Sequence, residues 1–199
     1  MYGIFYNPKI INFQISDFSQ HTQETFKAFV DAIIPRSPKL AEKYGKIQYF
    51  GALDLHTDEY MILSLNSHYI PLAKPVAEVL DIVSEQLVIL DRNSSMYPEG
   101  GTFAALIPSD RFRALMLLEQ NKDYFIDLLT PSQYYPAYLF SVISNLNRFT
   151  MMGYYSEWSG YGSTRLNAPD QRKLEFFPLS WKQVGYPGPS LGYRSLRNP

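Results

Sequence analysis

Asp54, His56, Asp58 and Glu59 stand within six positions, a density of carboxylate and imidazole that a metal site or a general acid/base group would need. Their spacing matches no strong ligand motif. A polar loop leading into a helix, with Thr57 or Asp58 at its N-terminus, explains the same residues. Gly188-Pro189-Ser190-Leu191-Gly192 fits the G-x-S-x-G pattern of a nucleophile elbow, in which a strained strand-to-helix turn exposes the serine hydroxyl. Only seven residues follow Gly192 and all three histidines lie upstream, so neither the supporting helix nor the required order of partners is present. His21 with Glu24, and His68, read as polar residues on helix surfaces. Arg111, Arg113 and Arg148 could hold an anion, but their ordinary role on amphipathic helices is a solvated face or bridges to Asp110 and Glu119. No H-E-x-x-H, P-loop, Rossmann glycine run or haem-attachment motif occurs. With no cysteine, disulfides, thiolate metal sites, iron–sulfur clusters and a cysteine nucleophile are excluded.

The elements that would position such residues are helices. Asp17 or Ser19 can cap a first helix, whose apolar positions Phe26, Phe29, Val30, Ile33 and Ile34 fall at helical spacing until Pro35 and Pro38 stop it. A second helix is expected through Thr57 to Tyr69, ended by Pro71. A third runs from Pro75 to about Leu90, with Val76, Val79, Leu80, Val83 and Leu87 on one face. Asp91 to Gly101 reads as a surface loop. Pro108-Ser109-Asp110 caps a fourth helix carrying Phe112, Leu115, Met116 and Leu118. A short helix at Lys122 to Leu129 and a longer one from Pro136 to Met152 follow, the latter turning Leu139, Phe140, Ile143, Leu146 and Phe149 inward. Strand alternation is scarce. The expected fold is mainly α: a single helical domain of about six helices over 21–152, after an extended N-terminal arm over 1–20.

Residues 153–199 depart from this pattern. They are rich in Gly, Pro and aromatics and show no helical period. Disordered chain is poor in aromatics, because it cannot bury enough apolar surface to offset its entropy. A segment with Tyr154, Tyr155, Trp158, Tyr161, Phe176, Phe177, Trp181, Tyr186 and Tyr193 is therefore expected to be an ordered strap, packed on its own domain or on a partner. The chain of 199 residues is 46% hydrophobic, 19% charged and 16% aromatic, with 16 Tyr against 2 Trp. That balance suits a globular protein with an interface. Residues 1–151 hold 12 basic and 16 acidic side chains, a net −4, and residues 152–199 hold 6 and 3, a net +3. Such signs favour the strap lying on an acidic surface. Overall charge is −1, which leaves no footprint for nucleic acid. No export signal and no run apolar enough to span a membrane is legible, so the expected location is the cytoplasm, with membrane association only through a partner.

Four stretches, in order, resemble the gluconate 2-dehydrogenase subunit 3 family of bacterial accessory subunits. They are Phe26-Lys27-Ala28-Phe29-Val30-Asp31-Ala32-Ile33-Ile34-Pro35, Phe103-Ala104-Ala105-Leu106 with the helix at Arg111 to Glu119, Met152-Gly153-Tyr154-Tyr155-Ser156, and Val184-Gly185-Tyr186-Pro187-Gly188. The resemblance covers Thr22 to Tyr193, and the two strap motifs are its most specific part. Family members often carry an acidic residue and Pro, then Gly-Gly-Asn, where this chain has Glu157-Trp158-Ser159-Gly160-Tyr161-Gly162-Ser163-Thr164. The twin-arginine export signal of many members is absent.

The resemblance implies a non-catalytic small subunit of an oxidoreductase complex. Such a subunit binds, stabilises or matures a flavoprotein partner, a large FAD-dependent sugar or polyol dehydrogenase of the glucose–methanol–choline type, with a cytochrome sometimes completing the complex. FAD is then expected in the partner, and no catalytic, cofactor-binding or metal residue is assigned to this chain. The partner-binding residues expected on this reading are Gly153, Tyr154, Tyr155, Trp158, Tyr161, Gly162, Trp181, Gly185, Tyr186, Pro187 and Gly188. Two other readings stand beside it: a free-standing enzyme or small-ligand binder with a pocket walled by strap aromatics and floored by Asp54, His56 and Asp58, and a partnerless structural protein that keeps the fold.

Overall fold

Ser19 accepts a hydrogen bond from the Thr22 amide and opens helix α1, Gln20–Ile33, as its position before an apolar-periodic run dictates. Phe26, Ala28, Phe29 and Val30 are wholly buried, so α1 is the axis of the core. The computed structural model describes residues 15–67, 70–87, 96–121, 124–125 and 136–189. The extended arm and the region around Tyr193 lie outside these, apart from a 3-10 turn at Ile15–Asp17.

The chain does not stay irregular after Pro35. Helix α2, Pro38–Tyr44, starts on the second proline, with Ser37 as its cap accepting from the Leu40 amide. Proline is tolerated there because the first helical amide has no partner to lose. A 3-10 turn, Lys46–Tyr49, folds back on α2, and the Ser37 amide donates to Tyr49 O at 3.0 Å. Gly51 then passes so close to α1 that a Cβ would meet Ile34 O at 2.5 Å.

Helix α3, Thr57–Asn66, follows His56, whose left-handed backbone (φ 54°) makes the turn. Asn66 Oδ1 accepts from the Ala73 amide at 3.2 Å and ties α3 to α4, Ala73–Glu85. α4 starts two residues before Pro75, whose missing N–H falls among the unpartnered donors of the first turn. Val76, Val79, Leu80 and Val83 are buried and Leu87 is half-buried. Both helices stop short of the expected Tyr69 and Leu90: Ser67 is the C-cap of α3, and α4 stops at Glu85, with Gln86 as its C-cap and Leu87 in a turn whose amide donates to Ser84 O at 2.8 Å.

A short helix α5, Gly101–Ala105, precedes α6, Pro108–Gln120. On α6 the inward residues are Arg111, Ala114 and Leu118, while Phe112 and Met116 are exposed. Of the expected helix at Lys122 to Leu129, only 124–125 are described. The long final helix divides into α7, Pro136–Ile143, and α8, Leu146–Tyr155. At the break, Asn145 Nδ2 donates to Ser141 O at 2.7 Å. A short amide side chain competing with the helical ladder in this way favours a turn over continued helix.

The fold is thus mainly α, and no strand element occurs among the described residues. α1 packs against α3, α4, α5 and α6, and α3 packs against α8. No helix among the described residues is long and apolar enough to cross a membrane.

Candidate partner interface

Gly153 lets α8 lie directly on α3, because a Cβ at that position would run into the Tyr60 ring. The next residue, Tyr154, is buried and points its hydroxyl away from the core. Tyr154 Oη donates to Gln183 Oε1 at 2.6 Å and has Phe50 O at 3.1 Å. Tyr155 faces the other way and is exposed. Ser156 ends α8, its hydroxyl donating to Gly153 O at 2.8 Å and accepting from the Trp158 amide at 3.1 Å.

The strap beyond, as described through 189, is built largely of short helical turns, which the lack of a helical period did not reveal. Its first segment is a 3-10 run, Trp158–Thr164, kinked at Gly162 (φ 49°, ψ −118°). There a Cβ would strike the Glu175 carboxylate, which accepts hydrogen bonds from the Ser163 amide and hydroxyl. Trp158, 3% exposed, donates from its indole to His56 O at 2.7 Å and meets the Tyr60 ring edge-on at 5.6 Å. The Arg172 guanidinium lies over the Trp158 ring at 5.2 Å. Tyr161 donates to Glu157 at 2.7 Å. Arg165 forks onto Glu59, with Nε at 2.6 Å and Nη2 at 3.2 Å from the two carboxylate oxygens. Burial opposes charge on Glu59, but His56 and Arg165 outweigh it and hold the carboxyl down at about 2.

Helix α9, Leu179–Val184, closes the strap. Gln183 is its clasp. Its Nε2 donates to Ile47 O at 2.9 Å and Phe50 O at 3.1 Å, its Oε1 accepts from Tyr154, and its carbonyl accepts from Gln48 Nε2 at 2.8 Å. Gly185 (φ 68°) ends α9 in the left-handed region, allowing the Tyr186 amide to return to Trp181 O at 2.8 Å. Trp181, 6% exposed, donates to Tyr155 O at 2.7 Å, and Phe177 and Tyr186 pack edge-on against it at 5.3 and 5.0 Å. Gly188 (φ 97°) passes beside the same indole, and Pro187 is exposed.

The eleven strap residues named from sequence therefore divide. Tyr154, Trp158 and Trp181 are buried on the chain's own helices, and Gly153 and Gly162 permit close approaches within it. Tyr155, Tyr186 and Pro187 face outward, with Phe177 and Val184 beside them. Sequence reading missed Gln183, Tyr60 and Arg165, and placed Glu59 in an acidic cluster instead of pairing it with Arg165, since a glutamine or a salt-bridge partner about a hundred positions away carries no local signal.

The acidic and basic groups resolve differently. Asp54 is held by Arg36, with Nη2 at 2.5 Å and Nε at 2.9 Å, and accepts from the Gly51 amide, which together hold its carboxyl below the usual carboxylate range against the effect of burial. Asp58 is buried, and desolvation, with Glu59 adding to it, pushes it up to about 6. These residues do not converge on a common point, and no group of three or more metal-ligating side chains occurs among the described residues. His21 and Glu24 are not surface decoration. His21 Nε2 meets Asp81 Oδ2 at 2.6 Å, and buried Glu24 accepts from the Glu99 amide at 2.7 Å, because α1 must anchor both α4 and the loop before α5. Arg113 bridges to Asp110 as expected, at 3.3 Å, whereas Arg111 is fully buried. A cavity of about 430 Å³ lies elsewhere, between α1, α6, α7 and the start of α8, lined by residues such as Phe29, Phe112 and Phe140 rather than by strap aromatics. His68 and Ser190 lie outside the described residues. No protein-family model, no curated protein and no solved structure matches this chain.

Proposed function

We propose that this chain is a non-catalytic accessory subunit that docks on, and stabilises or matures, a large FAD-dependent sugar or polyol dehydrogenase of the glucose–methanol–choline type. The observation that carries the reading is the outward aromatic row of Tyr155, Phe177 and Tyr186, set around a buried Trp181 whose indole is tied to Tyr155 O. Rigid aromatic side chains on an immobilised backbone give large contact area at low entropic cost. The strap motifs that resemble gluconate 2-dehydrogenase subunit 3 supply two of these three residues. FAD belongs to the partner, and a cytochrome is a further candidate member of the complex.

Purification of the tagged chain at native expression, with mass identification of what accompanies it and a visible spectrum, tests the proposal. A co-purifying flavoprotein with oxidised-flavin bands, lost on Tyr155→Ser with Tyr186→Ser, is the expected result. A colourless, solitary protein would overturn it. The cavity of about 430 Å³ favours a second reading, a binder of a small ligand, which a ligand-dependent rise in melting temperature would support.

A further inference from the structure

Helix α2 and the turn after it form a spur with no buried residue of their own. On one side of α2, four positions apart, Leu40 is 46% and Tyr44 61% exposed. Around them stand Lys39, Lys43 and Lys46, all exposed, and Lys182 of α9, which packs on the Lys46–Tyr49 turn, is exposed too. Glu42 is the one acidic residue between 38 and 50. None of the four lysines joins an ion pair among the described residues, and Lys43 Nζ rests 5.0 Å over the Tyr44 ring.

We infer that this spur is a contact surface for an anionic lipid bilayer. Three features favour lipid over a protein partner. The charges are lysines, which protein interfaces deplete while enriching arginine. The apolar groups project from a spur instead of lining a groove. Tyrosine and leucine flanked by lysine is the composition of interfacial segments, in which the ring sits at headgroup level while lysine stems lie along apolar surface and carry their ammonium groups to phosphate. The excess of positive charge supplies attraction to an anionic leaflet that is screened within a Debye length. The surface uses none of the residues of the proposed flavoprotein interface, so either assignment can fail alone.

The test is sedimentation of the full chain with vesicles of phosphatidylcholine, or of phosphatidylcholine mixed with phosphatidylglycerol, at low and high salt. Binding to the mixed vesicles only, reversed by salt, is expected. Lys39→Gln, Lys43→Gln and Lys46→Gln together should weaken it about tenfold or more. Leu40→Ser with Tyr44→Ser should weaken it while leaving its salt dependence. Circular dichroism confirms that the variants fold, which is expected because none of the five side chains is buried. Wild type remaining in the supernatant, or sedimenting no better than the lysine variant, overturns the inference. So does a lysine variant that keeps vesicle binding but loses an acidic protein captured by the wild type, which would give the face to a protein.

Discussion

Tyr154 and Gln183, 29 positions apart, meet side chain to side chain at 2.6 Å and lock α9 of the strap to the end of α8. Because Gln183 also donates to the carbonyls of Ile47 and Phe50, one side chain fixes three segments at once. The aromatic row outside it inherits that rigidity. Gln183→Ala should cost about 1–3 kcal/mol, the usual penalty for stranding hydrogen-bonding groups. Urea unfolding measures the loss, and protease cleavage within 156–189 should appear in the variant before global unfolding.

Strap aromatics should separate by role. Trp158→Ala removes a buried indole between α3 and Arg172 and should destabilise the fold by about 3–5 kcal/mol. Tyr155→Ser or Tyr186→Ser should cost about 1 kcal/mol or less, since each is exposed and loses mainly an edge-on ring contact. Thermal melts beside partner capture distinguish them. A large melt shift for Tyr186→Ser would make that residue structural.

Two neighbouring carboxylates should give opposite pH slopes. Asp58, raised to about 6, is better protonated in the folded state, so its contribution falls as pH rises from about 4 to about 6. Glu59, lowered to about 2, contributes stability that is complete above about 4.5 and lost as pH falls towards 2. Asp58→Asn should therefore remove the decline between pH 4 and 6 and raise stability at pH 7 relative to the wild type. Glu59→Gln should flatten the acid limb. Urea midpoints across this range read both.

Arg111 is a buried cation whose Nε and Nη1 have no hydrogen-bond partner among the described residues; Asp31 lies 3.7 Å from Nη1, and Nη2 donates to Ala104 O at 2.8 Å. Burial lowers the guanidinium's proton affinity, and Asp31, itself half-exposed at the rim, repays little of that cost. Arg111→Met should be neutral or stabilising, within about 1–4 kcal/mol, whereas Arg111→Ala should destabilise by leaving a cavity. Denaturant midpoints of the two variants give the sign.

Much of this was legible along the chain. Helical spacing of Phe26, Phe29 and Val30, the Ser19 cap and the apolar stripe Val76, Val79, Leu80 and Val83 are local properties, and the helices formed where they stood. Pro38 was misread as a stop because proline breaks a helix interior yet suits its first position, and only the Ser37 cap distinguishes the two. The split at Asn145 likewise turned on which neighbour a short amide side chain found.

By itself, then, the sequence determined that the protein is mainly helical and which glycines and aromatics the strap contains, because periodicity, capping and composition act within a few residues. Tertiary structure alone decided which of those aromatics face inward, that Gln183 and Arg165 hold the strap, and that Arg111 is buried while α2 stands out from the body. Those outcomes depend on which distant surfaces come to lie together, where a hydrogen bond or a buried ring gains its value from a partner a hundred residues away.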